Sequence, residues 1–175
     1  MSYSAGEHFN KLAKDRGYRS RAAFKLHQIN KKFKLLKKGF CVMDLGSSPG
    51  GWSQVAKELV GDSGEVFALD IIPMKPINGV EFMEFDFRDK DIKKYINLNF
   101  NVVISDIAPN ISGIAITDKE NMLELLNNVV GFCNSFLFKG GSLIAKCFES
   151  SKNELKNSLL NNYSNVTFYL SLIHI

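Results

Sequence analysis

Lys146 closes the run GGSLIAKCF (residues 140 to 148), in which Ser142, Leu143, Ile144, Ala145 and Cys147 are all small or apolar. A lysine is hardly ever fully buried without a partner, so this one either snorkels to the surface or is held for chemistry. Asp106 stands in a comparable place in NVVISDIAPN (101 to 110), ending an apolar run just before Pro109 forces the chain to extend. A carboxylate there is costly unless it is hydrogen-bonded or paired with a cation. The two residues are either a bridge that steadies two strand ends or parts of one reactive site. A third candidate, Lys25, lies on the flank of an apolar stripe in SRAAFKLHQINKKFK. A lysine can accept a proton only where a second cation and partial burial favour its neutral form, and an adjacent carboxylate opposes that. Proton abstraction and simple positioning of a hydroxyl are therefore both open to this trio.

The stretch DLGSSPGGW, Asp44 to Trp52, is the strongest local signal. Glycines after a first strand let backbone approach a ligand and offer N–H groups at the start of a helix. The turn Gly46-Ser47-Ser48-Pro49-Gly50-Gly51 lacks the second glycine of a dinucleotide fingerprint, Pro49 removes a donor, and no Walker GK[ST] tripeptide occurs. Such a turn suits a ligand with a carboxylate and no pyrophosphate, which points to S-adenosylmethionine; a tight structural turn is the plain alternative. Asp70 ends VFALDI about 20 residues further on, where an acid accepts hydrogen bonds from a ribose diol, unless it merely caps a loop. Asp86, with Phe87 beside it, could accept from the amine of adenine or could cap a helix.

Strands and helices must bring these residues together. Ala22, Leu26, Ile29 and Phe33 fall at helical spacing and predict an amphipathic helix over 20 to 34. FCVMDLG then enters the glycine turn, followed by a helix, GWSQVAKELV. GEVFALDI, VEFMEFD, NVVISDIAPN and GGSLIAKCF read as further strands, and 121 to 138 as a helix with Met122, Leu126, Val129, Cys133 and Phe136 on one face. Nearly continuous apolar strands alternating with helices imply an α/β, Rossmann-like sandwich: a mostly parallel sheet with helices on both faces. Ligands in such sheets bind outside the carboxyl ends of the strands. Asp44 to Gly51, Asp70, Asp86, Asp106 and Lys146 all fall there.

The whole chain, 175 residues with a net charge of +4, reads as one domain over 1 to 175: a basic helical segment (1 to 36) and a cofactor-binding and catalytic sheet (37 to 175). The basic excess is concentrated between Lys11 and Lys38 and nominates an anionic partner, although a solvated helix face would also account for it. Cys41, Cys133 and Cys147 have no CxxC spacing, so neither a metal site nor a disulfide framework is expected. No signal peptide and no long apolar run occurs, so a cytoplasmic, non-membrane protein is expected.

The blocks RSRAAFKL (19 to 26), DLGSSPGGWSQ (44 to 54), DIIPMKPINGVEF (70 to 82), DFRD (86 to 89), SDIAPNISG (105 to 113) and GGSLIAKCF (140 to 148) together resemble the FtsJ/RrmJ family of ribosomal RNA 2′-O-ribose methyltransferases. That resemblance implies a Lys-Asp-Lys-Glu tetrad, with Lys25, Asp106 and Lys146 as its first three members. It implies a cofactor site for S-adenosylmethionine at Asp44, Gly46, Ser47, Pro49, Gly50, Gly51, Trp52, Asp70, Ile71, Asp86, Phe87 and Asp106. It also implies RNA, a uridine of the large ribosomal subunit or its precursor, as substrate, and a monomer.

RNA phosphates would meet Lys11, Lys14, Arg16, Arg19 and Arg21, with Tyr18 available for stacking. The family's closing segment, of the type KPxxSRxxSxExY, has no counterpart in NNYSNVTFYLSLIHI, so the C-terminal hairpin is expected to be incomplete and the fourth tetrad residue missing. Two rival readings stay open: a catalytically impaired module that binds S-adenosylmethionine and RNA in ribosome assembly, and a nucleotide-dependent oxidoreductase, against which the broken GxGxxG argues.

Overall fold

The computed structural model describes residues 5 to 170; the expected domain boundaries at 1 and 175 and the final residues SLIHI lie outside the described residues. The element order is α1 (Ala5–Asp15), α2 (Ala22–Phe33), β1 (Cys41–Leu45), α3 (Gly51–Val60), β2 (Glu65–Asp70), β3 (Val80–Glu84), α4 (Ile92–Tyr95), β4 (Phe100–Ser105), α5 (Ala115–Phe136), β5 (Leu137–Ala145), a 3-10 turn and α6 (Lys152–Leu159). Five parallel strands form one sheet in the order β3-β2-β1-β4-β5. The α/β, Rossmann-like fold expected from the alternating pattern is the fold found.

The central strands β1, β2 and β4 are largely apolar on both faces, and alternate residues feed two cores. Val42, Val66, Val102, Ile104 and Ile144 pack against Ala23 and Leu26 of α2 and Trp52, Val55 and Val60 of α3. Met43, Leu45, Leu69, Phe100 and Val103 pack against Val129, Phe132 and Phe136 of α5. Strand order reverses between β1 and β4, so the carboxyl edge opens a crevice there, between Asp44 on one side and Asp106 on the other.

Both ends of α5 differ from the sequence expectation. Helix α5 begins at Ala115, earlier than the apolar stripe indicated, because its first turn exposes Ile116 and is organised by Asp118. The Asp118 carboxylate accepts the Ser112 N–H and hydroxyl at 2.7 Å each and the Gly113 N–H at 3.2 Å. At the other end Leu137 and Phe138 leave the helix for β5. Helix α1 packs Phe9 and Ala13 against Phe24 of α2. Strand β5 is the edge of the sheet, and residues 160 to 170 add no strand beside it.

Candidate functional site

Lys25, Asp106 and Lys146 meet at the carboxyl edge. The Asp106 Oδ1 atom lies 3.1 Å from Lys25 Nζ and 3.9 Å from Lys146 Nζ. The three side chains are 12, 21 and 30% exposed respectively, so Lys146 is neither sealed in the core nor snorkelling freely. Among the described residues Asp106 is the one carboxylate paired with either lysine, and Glu154 is taken by Lys119 of α5 at 2.5 Å.

Backbone and core contacts place each member. Asp106 follows the last residue of β4, whose Ser105 hydroxyl donates to the Leu45 carbonyl at 3.0 Å. Lys146 follows β5 and its N–H donates to the Ser105 carbonyl at 2.9 Å. Lys25 rides on α2, which is seated by fully buried Ala23 and Leu26 and by the Trp52 indole N–H donating to the Ala22 carbonyl at 2.8 Å. Asn30 closes the exit from α2 by bonding the N–H and carbonyl of Leu36.

The glycine turn hangs from β2: the N–H groups of Gly46 and Ser47 donate to the Leu69 carbonyl at 2.8 and 3.2 Å. Gly46 has φ +70, and a Cβ there would lie 1.4 Å from the Ile107 Cγ2 atom, so the residue after Asp106 fills the space that the glycine leaves. The Ser48–Pro49 peptide is cis, and Gly50 has φ +108. The Ser47 hydroxyl is buried and has no hydrogen-bond partner among the described residues.

Three carboxylates surround this turn. Asp44 is buried (1% exposed) and accepts the Ser53 hydroxyl at 2.6 Å. Burial pushes its carboxyl up to about 7, and the negative charges of Asp106 and Asp70 push the same way against the Ser53 hydrogen bond. Asp70 accepts the N–H groups of Ser48 and Ile72 at 2.8 and 2.9 Å, which ties the turn to the loop after β2. Ile71, at 60% exposed, stands open beside it. Clustered acids with a free hydroxyl suit a cationic ligand that also carries polar groups, and a sulfonium amino acid is one.

The remaining sequence candidates are differently placed. Asp86 is clasped by Arg88, whose N–H and guanidinium donate to both its oxygens at 2.6 to 3.1 Å, and the Arg88 hydrogen bonds hold its carboxyl below the usual range. Phe87 turns toward the α5 core, edge-on to Phe132. Trp52 lies behind the turn, in the core.

Arg19 points at protein rather than solvent: its guanidinium donates to the carbonyls of Lys75 at 2.5 Å, Pro76 at 2.7 Å and Pro49 at 3.2 Å. Tyr18 donates to Glu58 at 2.8 Å and packs edge-on to Phe24; burial first, and Glu58 second, raise its hydroxyl to about 12. Lys11, Lys14 and Arg16 are exposed, Arg16 lying over the Phe24 ring, and Arg21 is half-buried.

Sequence reasoning missed four contributors: Ser53, Ile107, Asp118 and the Arg19 clasp. Ser53, in the first turn of α3, had a legible signal in its nearness to the glycine turn. The other three depend on which loops meet.

A profile of the family described as FtsJ-like methyltransferase matches residues 18 to 174. The ribosomal RNA large subunit methyltransferase E of Psychrobacter sp. is 43% identical over 172 residues, covering 95% of this chain and 82% of the relative. The protein of the same name from Neisseria meningitidis is 45% identical over 150 residues, covering 83% and 73%. A crystal structure described as a ribosomal RNA methyltransferase from Plasmodium falciparum superposes with a TM-score of 0.79 at 29% identity, covering 86% of this chain and 90% of that one.

Proposed function

The chain belongs to the FtsJ-like methyltransferase family, and from that premise we propose that it methylates a ribose 2′-hydroxyl of large-subunit ribosomal RNA with S-adenosylmethionine as methyl donor. The observation that carries this reading is the Asp106 carboxylate bridging Lys25 and Lys146 beside the glycine turn. When bound, the cofactor supplies a methyl group already activated on a sulfonium, so the chain's own task is alignment.

Asp106 offers negative charge to the cationic ligand, the buried Asp44 backs the turn through its hydrogen bond with Ser53, the Asp70 carboxylate keeps acceptor capacity for a ribose diol, and Ile71 offers an apolar face to the base. Ser47 supplies its hydroxyl, Gly46, Gly50 and Gly51 let Ile107, Ile77 and Ser20 pack directly against the turn, and Pro49 shapes it. Asp86 enters such a site only by sharing its oxygens with Arg88, and Phe87 and Trp52 support the site from the core side.

Asp106 holds the ammonium groups of Lys25 and Lys146 toward one point, where a hydroxyl oxygen can accept a hydrogen bond from either. The ribose oxygen gains the methyl group and releases its proton as the new bond forms. Lys146, once it has lost its own proton to solvent, takes that proton or, in the competing reading, stays an ammonium that only orients the oxygen while water takes it. A kcat that is flat across the neutral range while chemistry is rate-limiting assigns positioning.

RNA phosphates meet Lys11, Lys14 and Arg16 on the exposed side of α1 and its exit. The reading places the chain in the cytoplasm, acting on ribosomal particles as a monomer; no helix among the described residues is long and apolar enough to cross a membrane.

The test is transfer of labelled methyl groups to ribosomal particles lacking 2′-O-methylation, by the chain and by Lys146→Ala. Transfer that the substitution abolishes supports three cooperating residues. Cofactor binding without transfer by either protein identifies the second reading, a binding module, which the pairing of one carboxylate among the described residues with both lysines favours.

A further inference from the structure

The opposite edge of the sheet carries a cleft of about 300 Å³ that the proposed reaction does not use. It lies at the amino ends of β1, β4 and β5. Phe33, Phe40 and Phe138 supply its rings, and Lys34, Lys37 and Lys139 its charges. The stretch KKFKLLKK, residues 31 to 38, holds five lysines and no acid. Lys31 and Lys32 are accounted for by the carbonyl end of α2, which favours cations in the last turn. That explanation extends to Lys34, the residue that caps the helix, but not to Lys37 or Lys139, which come from the loop beyond it and from a separate strand. None of these three makes an ion pair among the described residues, and all three are exposed. Lys37 lies 5.8 Å from the Phe40 ring, and Phe138 is 47% exposed at the rim.

We infer that this cleft is a second RNA-binding site, in which Lys34, Lys37 and Lys139 neutralise phosphates and Phe138 stacks an unpaired base. Two features distinguish RNA from a protein partner here. The cations come from two elements and no acid lines the cleft with them, which suits a polyanion, and the aromatic rings stand among them, the pairing that single-stranded nucleic acid uses. The six residues of β4 span roughly 20 Å at about 3.3 Å each, so the cleft and the Lys25–Asp106–Lys146 site face opposite ways. A nucleotide bound in the cleft is therefore not the one being methylated. The inference rests on the proposed function for its RNA: the site engages a separate segment of the ribosomal RNA and makes a folded particle a better substrate than a short oligonucleotide.

The test measures binding of labelled large-subunit ribosomal RNA, and methyl transfer to undermethylated particles, for the unaltered chain, for K34Q/K37Q/K139Q, for Phe138→Ala, and for a control triple, K90Q/K93Q/K94Q, that removes the same charge elsewhere. The expected result for the cleft triple is a roughly tenfold weaker Kd and a slope of log Kd against log salt shallower by about two, with cofactor affinity, Tm and kcat unchanged. Phe138→Ala weakens Kd without changing the slope. Unchanged affinity in the cleft triple, or an equal loss in the control triple, overturns the inference. The binding measurement decides the cleft even if the unaltered chain transfers no methyl group, an outcome that would instead count against the proposed reaction.

Discussion

Asp106 is the residue on which the site turns, because it is shared by two cations that would otherwise repel one another. Removing its charge while keeping its shape leaves both ammonium groups partly shielded and unpaired, the arrangement in which a broken pair is most damaging. Asp106→Asn is expected to lower kcat roughly 100-fold or more, a loss of the size that misplacement of reacting groups produces; single-turnover transfer measures it. Asp44 gives a prediction of opposite sign. Its carboxyl is raised from 3.8 to about 7, so between those values the folded chain keeps a proton that the unfolded chain has released. Stability, measured without cofactor, therefore falls as pH rises from about 4 to about 7 and levels off above. Asp44→Asn, which can still accept from Ser53, removes this dependence and raises stability at pH 8 by a few kcal/mol, on the order of 2–4. A Tm that keeps the same pH dependence in the variant would show that another group is responsible.

At the scale of elements, the site depends on loops that hold one another. Gly46 and Ile107 belong to the turns after β1 and β4 and occupy one space. Gly46→Ala meets both a positive φ and the Ile107 side chain, so it is expected to cost more than about 1 kcal/mol and to weaken cofactor binding. Adding Ile107→Ala relieves the clash but not the backbone strain, so recovery of Tm in the double variant is partial. Arg19 clasps the loop after β2 to the turn before α3 through three carbonyls. At about 1 kcal/mol for each hydrogen bond lost, Arg19→Ala is expected to raise the Kd for S-adenosylmethionine roughly tenfold while leaving the salt slope of RNA binding in place. Titration of cofactor and of RNA separates these effects; a shallower slope would return Arg19 to the phosphate contacts.

At the scale of the whole molecule, positive charge lies on two surfaces, the exposed side of α1 and the amino edge of the sheet, while the acids Asp44, Asp70 and Asp106 gather at the carboxyl edge. Polyanion binding to such a surface releases counterions, so RNA affinity is expected to fall steeply between low and moderate salt, whereas affinity for the small cofactor changes little. Filter binding of ribosomal RNA across a salt series checks this, and a nearly flat response would remove phosphate contacts from the account. The open edge of β5 is a second property of the molecule as a whole. Its backbone groups face outward with no strand beside them among the described residues, and exposed edges of this kind template further pairing.

The sequence by itself determined the fold class, the five strands and the Lys25, Asp106 and Lys146 trio. Apolar periodicity is a local property, charged residues such as Asp106 and Lys146 at the end of buried runs stand out without knowledge of their neighbours, and Lys25, inside a helix, stood out through its place in the RSRAAFKL block. The glycine turn and the acids Asp44 and Asp70 were legible for the same reason. Tertiary structure alone decided what the long-range partners were. Arg19 and Tyr18 looked like residues free to meet RNA, yet the loop carbonyls and Glu58 that engage them lie 30 to 57 positions away. Asp86 looked open to a ligand until Arg88 folded back onto it, and Phe87 until α5 packed against it. Hydrogen bonds and ring contacts between segments distant in sequence form only once the sheet has brought the loops together, and no local pattern encodes them.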